Sequence, residues 1–293
     1  MTTPADYRRG VIQAIVAGFF LSSAGIGMRL MEQATPEHVT FYRALGLTFF
    51  ALAVLVVKNP TRPWRPVIET GWIGLAAGIP FAFASLCVVF GLASTTVANV
   101  MFIVSLSPFF AALLGWLILK ERVSVRTWIA ITIAVCGVLI MVQGGLSAEG
   151  WVGVLWAFGM AFNYGLFMVL TRFGKDKDMF PVVFWSGVLL AAIITFFIDS
   201  FALPAQDVLL GLALGVFQIG LGGLLLVAAS KHVPAAQIVF LAMLEPVLSP
   251  IWVWLGVGEV PTSQSLVGGA IILFAIGFFT LAGGAREDAA PKG

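Results

Sequence analysis

Glu245 is a carboxylate set deep in an apolar run, Val233–Val257, and it directly precedes Pro246. At about 1.5 Å per helical residue it lies roughly 16 Å along that run, near the middle of a bilayer-spanning helix. An ionised group at that depth costs about 2.5–3.5 kcal/mol on insertion scales. Such a carboxylate has two uses: to bind protons or substrate during a cycle, or to pair with a buried cation. Arg43 is the cation within reach, about 10 Å below the start of its own apolar run. Its long side chain can meet Glu245 or extend outward toward Glu37.

Other polar side chains stand in the same apolar surroundings. Asn99 and Gln237 occupy equivalent places in two similar runs, where they can line a pathway or hydrogen-bond neighbouring helices. Tyr42, Asn163, Tyr164 and Gln218 are further candidates for substrate contact. Soluble-enzyme chemistry is poorly provided for. The chain has no GxxxxGK[ST] phosphate loop, no HExxH and no CxxC. His38 and His232 are expected on opposite membrane faces, His38 outside and His232 inside, so they cannot share a metal or a catalytic site. No cofactor is expected. Cys87 and Cys136 read as small core residues.

The elements that position these groups are apolar helices. Of 293 residues, 60% are hydrophobic and 10% charged, and the mean hydropathy is +1.04. A soluble domain is about a quarter charged, so the solvent of this chain is lipid. The net charge of +2 leaves no footprint for nucleic acid. Spans of about 20 residues suit helices, whereas membrane strands need about 10 with strict alternation. Gly10–Met31 is the first span; it runs on past Ser22-Ser23-Ala24, unlike a cleaved leader. Thr35-Pro36 starts the second as a cap followed by a first-turn proline. Thr70–Leu119 carries no charge and suits two spans, broken near Ala93-Ser94-Thr95. Val123–Val142 is the fifth. Trp151–Thr171, Met179–Ile198, Asp207–Ser230, Val233–Val257 and Thr262–Gly283 supply five more. Gly74/Gly78 and Gly211/Gly215 are GxxxG pairs that let helices pack closely within one chain. A monomer or weak homo-oligomer is expected.

The two sets of five are related. Val97–Glu121 lies over Ala235–Glu259 without a gap, with Pro108 on Pro246, Trp116 on Trp254 and Glu121 on Glu259. The expected division is 1–146 and 147–293. With the N-terminus inside, Arg8, Arg9, Lys58, Arg62, Arg65, Lys120, Arg122, Arg126, Arg172, Lys175, Lys177, Lys231, Arg286 and Lys292 all sort to one side. An odd number of spans per half then inserts the halves with opposite orientation. The expected fold is an all-α integral membrane protein: ten transmembrane helices as two inverted five-helix repeats, both termini cytoplasmic. Such repeats are typical of alternating-access carriers.

The chain resembles the drug/metabolite transporter superfamily, and within it the EamA-type exporters. The resemblance rests on Ser107-Pro108 through Glu121 and Glu245-Pro246 through Glu259, and it covers nearly the whole length. Size and aromatic content are similar to bacterial amino-acid exporters of the YddG type. The resemblance implies a multi-pass protein of the inner membrane with a central cavity between the repeats. It implies a secondary transporter, not an enzyme, that exports aromatic or neutral amino acids or related metabolites. A proton-coupled efflux carrier of another small molecule is the alternative. An intramembrane enzyme on a lipid substrate is the rival class, and Glu245 alone would have to serve it.

Overall fold

A computed structural model of the chain describes residues 3–94, 100, 103–121, 123–142, 151–258 and 263–281. Every regular element among them is helical. In order these are α1 (Pro4–Leu21), α2 (Ala24–Arg29), α3 (Pro36–Lys58), α4 (Arg65–Thr70), α5 (Trp72–Ser94), α6 (Ser107–Leu114) and α7 (Val125–Val142). Next come α8 (Trp151–Phe173), α9 (Pro181–Thr195), α10 (Ala205–Ala213), α11 (Gly222–Ala229), α12 (Ala235–Leu241), α13 (Leu244–Val257) and α14 (Ser263–Leu281). Two π-helical stretches extend neighbouring helices: Gly115–Leu119 continues α6, and Leu214–Leu221 joins α10 to α11.

Among the described residues, five helical segments are long and apolar enough to cross a membrane: Pro4–Arg29, Pro36–Lys58, Trp72–Ser94, Val152–Phe173 and Ala205–Ala229. Shorter apolar helices occupy the other segments expected to span. The helix starts follow local chemistry. Pro36 opens α3 behind Thr35, and the Thr127 amide donates to Ser124 Oγ at the start of α7. The Gln143–Gly150 connection and the Glu259 end of the repeated motif lie outside the described residues.

Three apolar segments are interrupted, each for a local reason. Pro246 has no amide hydrogen to donate to the carbonyl four residues back, and α12 ends at Leu241 while α13 begins at Leu244. A turn at Ser105-Leu106 precedes Pro108 in the same way, at the matching position of the other half. Between α1 and α2, Ser22 and Ser23 donate back to the Phe19 and Phe20 carbonyls at 2.6 and 2.8 Å. The freed polar groups stay satisfied locally, as an apolar surround requires.

Packing relies on small residues. Ala14, Ala44, Ala51, Ala77, Ala111, Ala134 and Ala157 are fully buried at interfaces. Large side chains such as Phe49, Phe196, Leu209, Leu255 and Phe274 face outward, as lipid as solvent allows. Cys87 is buried as expected, but Cys136 is exposed on the outer face of α7. In lipid that thiol costs nothing to leave outside the core, which is why apolar character alone misplaced it. α5 packs on α8 and α9, α3 on α9 and on the 205–221 region, α1 on α11, α6 on α8 and α12, and α7 on α14.

The backbones of α3 and of the 205–221 region approach closely. A Cβ on Gly215 would collide with the Arg43 carbonyl oxygen, and one on Gly46 with the Leu212 carbonyl. The GxxxG pair Gly211/Gly215 therefore serves packing within the chain. Gly215→Val is expected to be destabilising by about 1–3 kcal/mol, the usual cost of overpacking. The check is the thermal unfolding midpoint of the purified variant in detergent, which should fall clearly below that of the parent.

Candidate functional site

Arg43 and Glu245 are both buried, 4% and 8% exposed. Successive residues on a helix point about 100° apart, so α3 turns Arg43 inward and Tyr42 away. Among the described residues no ion pair of 4.0 Å or less joins Arg43 to Glu245. The guanidinium has five donors. One of its NH groups makes a long contact, 3.5 Å, to the Ser85 carbonyl oxygen on α5, and Nε has no partner. Ser85 Oγ and the Tyr164 hydroxyl are likewise buried and without a hydrogen-bond partner among the described residues. Helices α3 and α5 meet at the Arg43–Ser85 contact, and α8, which carries Tyr164, packs on α5. Buried polar groups are normally satisfied, so this concentration of free donors and acceptors is out of the ordinary.

An aromatic stack borders that centre. Phe81 and Phe167 stack at 4.1 Å with planes 12° apart, and Tyr164 continues the stack on Phe167 at 6.4 Å. Ser85 stands one turn beyond Phe81 on α5, and Tyr164 one turn before Phe167 on α8. The stack therefore separates the polar centre from the end of the bundle where the basic residues gather.

That basic end is tied by polar contacts. Tyr7 donates to Gln237 Oε1 at 2.6 Å, joining α1 to α12. Arg172 Nε donates to Glu121 at 2.9 Å and its NH1 to the Ser230 carbonyl at 2.7 Å, so one guanidinium ties three helix ends. Lys177 reaches the Thr70 carbonyl at 3.2 Å, and Lys58 lies over the Phe180 ring. A small recess lined by Gly115, Glu121, Pro234 and Gln237 opens beside this network. At the far end, Asp207 accepts from the Glu32 and Gln33 amides at 3.1 and 2.8 Å. His38 Nε2 meets the Ser200 carbonyl at 2.6 Å. A carbonyl only accepts, so Nε2 carries the proton there.

The candidates read from sequence are therefore divided. Arg43 lies against the Ser85 carbonyl on α5, and Tyr164 and Glu245 are buried on α8 and α13. Gln237 sits at the basic end, bonded to Tyr7. Gln218 is buried in the π-helical stretch, its Nε2 on the Leu21 carbonyl at 3.3 Å and its Oε1 unpartnered. Tyr42 bonds the Phe201 carbonyl at 2.6 Å at the far end, and Asn163 bonds its own helix at the Gly159 carbonyl. Asn99 lies outside the described residues. Sequence reasoning missed Ser85, Tyr7 and Arg172. Only Arg172 left a signal, as one of the sorted cations next to the terminal Glu121.

The sequence profile of the EamA-like transporter family matches residues 8–143 and again 151–281. The chain belongs to that family. Among its curated relatives, the uncharacterized transporter YdfC of Bacillus subtilis is 25% identical over 272 residues, covering 88% of this chain and 86% of the relative. The pseudopaline exporter CntI of Pseudomonas aeruginosa is 26% identical over 278 residues, covering 92% and 94%. A solved crystal structure shares the fold with a TM-score of 0.75, at 18% identity, over 96% of this chain and 99% of that one. EamA membership makes this a multi-pass membrane transporter of a small molecule, not an enzyme.

Proposed function

We propose that this EamA protein is a secondary transporter that exports amino acids or related metabolites across the inner membrane by alternating access. The observation that carries the reading is the set of buried polar groups Arg43, Ser85, Tyr164 and Glu245. Arg43 Nε, Ser85 Oγ and the Tyr164 hydroxyl have no hydrogen-bond partner among the described residues, in surroundings where each such group is costly. A merely structural polar cluster would be expected to satisfy itself.

The ten spans form two inverted repeats in this reading. The family profile matches once in each half. Exchanging the halves also turns each main helix packing into another that exists. α5 on α8 becomes α11 on α1, α5 on α9 becomes the 205–221 region on α3, and α6 on α8 becomes the α12–α13 region on α1. The basic end would face the cytoplasm with both termini. Cysteines introduced at Ser147 and Lys175 should then differ in labelling: an impermeant thiol reagent outside the cell modifies the first alone. Equal or reversed labelling would defeat the inverted arrangement.

Function is tested by counterflow. Purified protein in liposomes preloaded with one unlabelled amino acid or metabolite at a time is offered the labelled form outside. Saturable transient accumulation is expected for a subset of amino acids. A channel gives flux without accumulation, and an enzyme gives a new product; either result overturns the reading.

A further inference from the structure

The connection from α3 to α5 exposes large apolar side chains at a level that two membrane-spanning helices fix. α3 ends at Lys58 and α5 begins at Trp72, and both are long and apolar enough to span. The short helix α4 lies between them, with Gly71 alone separating it from α5. It is therefore held at the membrane surface. Residues four apart share a helix face. Pro66 and Thr70 form the buried face of α4, and Thr70 Oγ1 donates to the Asp178 carbonyl at 2.6 Å. Trp64 and Ile68 are 50% and 77% exposed, and Trp72, just past the Gly71 turn, is 72% exposed. Water penalises such a patch, whereas the headgroup level of a bilayer favours tryptophan.

The Thr70 contacts bring a second loop, from the other half of the chain, to the same corner. Lys177 Nζ donates to the Thr70 carbonyl at 3.2 Å, and Lys58 lies over the Phe180 ring at 4.9 Å. Lys58, Arg62, Arg65, Lys175 and Lys177 therefore stand on two loops that pack together. Three acids accompany them. Glu69 pairs with Arg65 at 2.6 Å, Asp178 accepts from the Phe180 amide at 3.1 Å, and Asp176 is exposed. Arg62 and Lys175 are exposed and make no ion pair among the described residues. The corner thus joins an apolar patch to an excess of positive charge.

We infer that the α4 corner is a docking surface for an anionic phospholipid of the surrounding bilayer. Trp64, Ile68 and Trp72 enter the interface, and Arg62 and Lys175 attract the headgroup phosphate. Guanidinium and ammonium groups both donate to phosphate oxygens. A zwitterionic lipid carries its own cation beside the phosphate and gains less from them. A soluble anion can use the two cations but not the apolar patch. An anionic lipid uses both, and α3 and α5 set acyl chains beside the patch. Each basic residue near an anionic leaflet strengthens attachment about five-fold.

The test is native mass spectrometry of the purified full-length protein in detergent, titrated with phosphatidylglycerol or phosphatidylcholine of matched acyl chains. The parent should bind phosphatidylglycerol roughly 20-fold more tightly, the product of two cations. Arg62→Gln/Lys175→Gln should bring the two lipids to near parity with phosphatidylcholine binding unchanged. Arg62→Lys/Lys175→Arg, which keeps both charges, should keep the preference. Trp64→Ser/Trp72→Ser should weaken both lipids, and free glycerol phosphate should not compete at the lipid concentration. Four results overturn the assignment: equal binding of the two lipids by the parent, an undiminished preference in Arg62→Gln/Lys175→Gln, unchanged binding in Trp64→Ser/Trp72→Ser, or full competition by glycerol phosphate. The last would make the corner a site for a soluble anion.

Discussion

Glu245→Gln is expected to abolish counterflow of amino acids while leaving a folded protein. The carboxylate lies at the end of a broken helix, just past the Ala242-Met243 turn and before Pro246. It is 8% exposed, and among the described residues no ion pair of 4.0 Å or less joins it to Arg43. Removing one member of a buried charge pair costs about 3–5 kcal/mol in soluble proteins. Where Glu245 contacts substrate, a loss of that size falls on substrate binding, roughly 100-fold or more in half-saturating concentration. Flux at graded substrate concentration measures it. Two other outcomes have definite meanings. Exchange that persists without accumulation against a pH gradient makes Glu245 a proton site. Recovery of stability and transport by Arg43→Gln added to Glu245→Gln makes the pair structural.

The second large effect is expected at the basic end. Arg172→Gln removes a charged hydrogen bond to Glu121 and another to the Ser230 carbonyl. The ion pair is largely shielded, its side chains 12% and 26% exposed. Hydrogen bonds to charged groups are worth about 1.5–3 kcal/mol each. Losing one of them shifts the balance between closed and open basic ends by roughly 10- to 100-fold. Three helix ends are released together, so the bundle should favour the form open at that end. A cysteine at Ser230 should then react faster with a polar thiol reagent in the Arg172→Gln background, and accumulation should fall. An unchanged labelling rate would mean that Arg172 holds nothing closed.

Much of this molecule is legible in its sequence, for identifiable reasons. Segment limits follow from where charges and prolines stand. The breaks before Pro108 and Pro246 are local steric consequences. Arg43 and Glu245 stand out because charges in apolar runs are costly. Helix rotation is a different matter. These helices are apolar nearly all round, so periodicity does not say which face turns inward. Tyr42 and Arg43 are neighbours in sequence, yet one bonds a loop at the far end and the other joins the centre. Asn163 and Tyr164 divide in the same way, and Ser85 lies in a stretch where nothing marks it. Such assignments depend on packing between distant segments, as when Gly215 and Gly46 allow α3 and the π-helical stretch to meet. Cys136 shows the same limit, since an apolar thiol fits lipid as well as core.

The account rests on the basic end opening and closing while substrate passes the polar centre, and Tyr7 with Gln237 offers the most direct test. Their side chains meet at 2.6 Å across α1 and α12. With Cys87 and Cys136 replaced by alanine, Tyr7→Cys and Gln237→Cys can be joined by a reducible bifunctional thiol reagent. A direct disulfide is not expected to span backbones that are held apart by two long side chains. Counterflow is then measured in liposomes before joining, after joining and after reduction. The account predicts flux that is lost on joining and regained on reduction. Undiminished flux through the joined protein would contradict it.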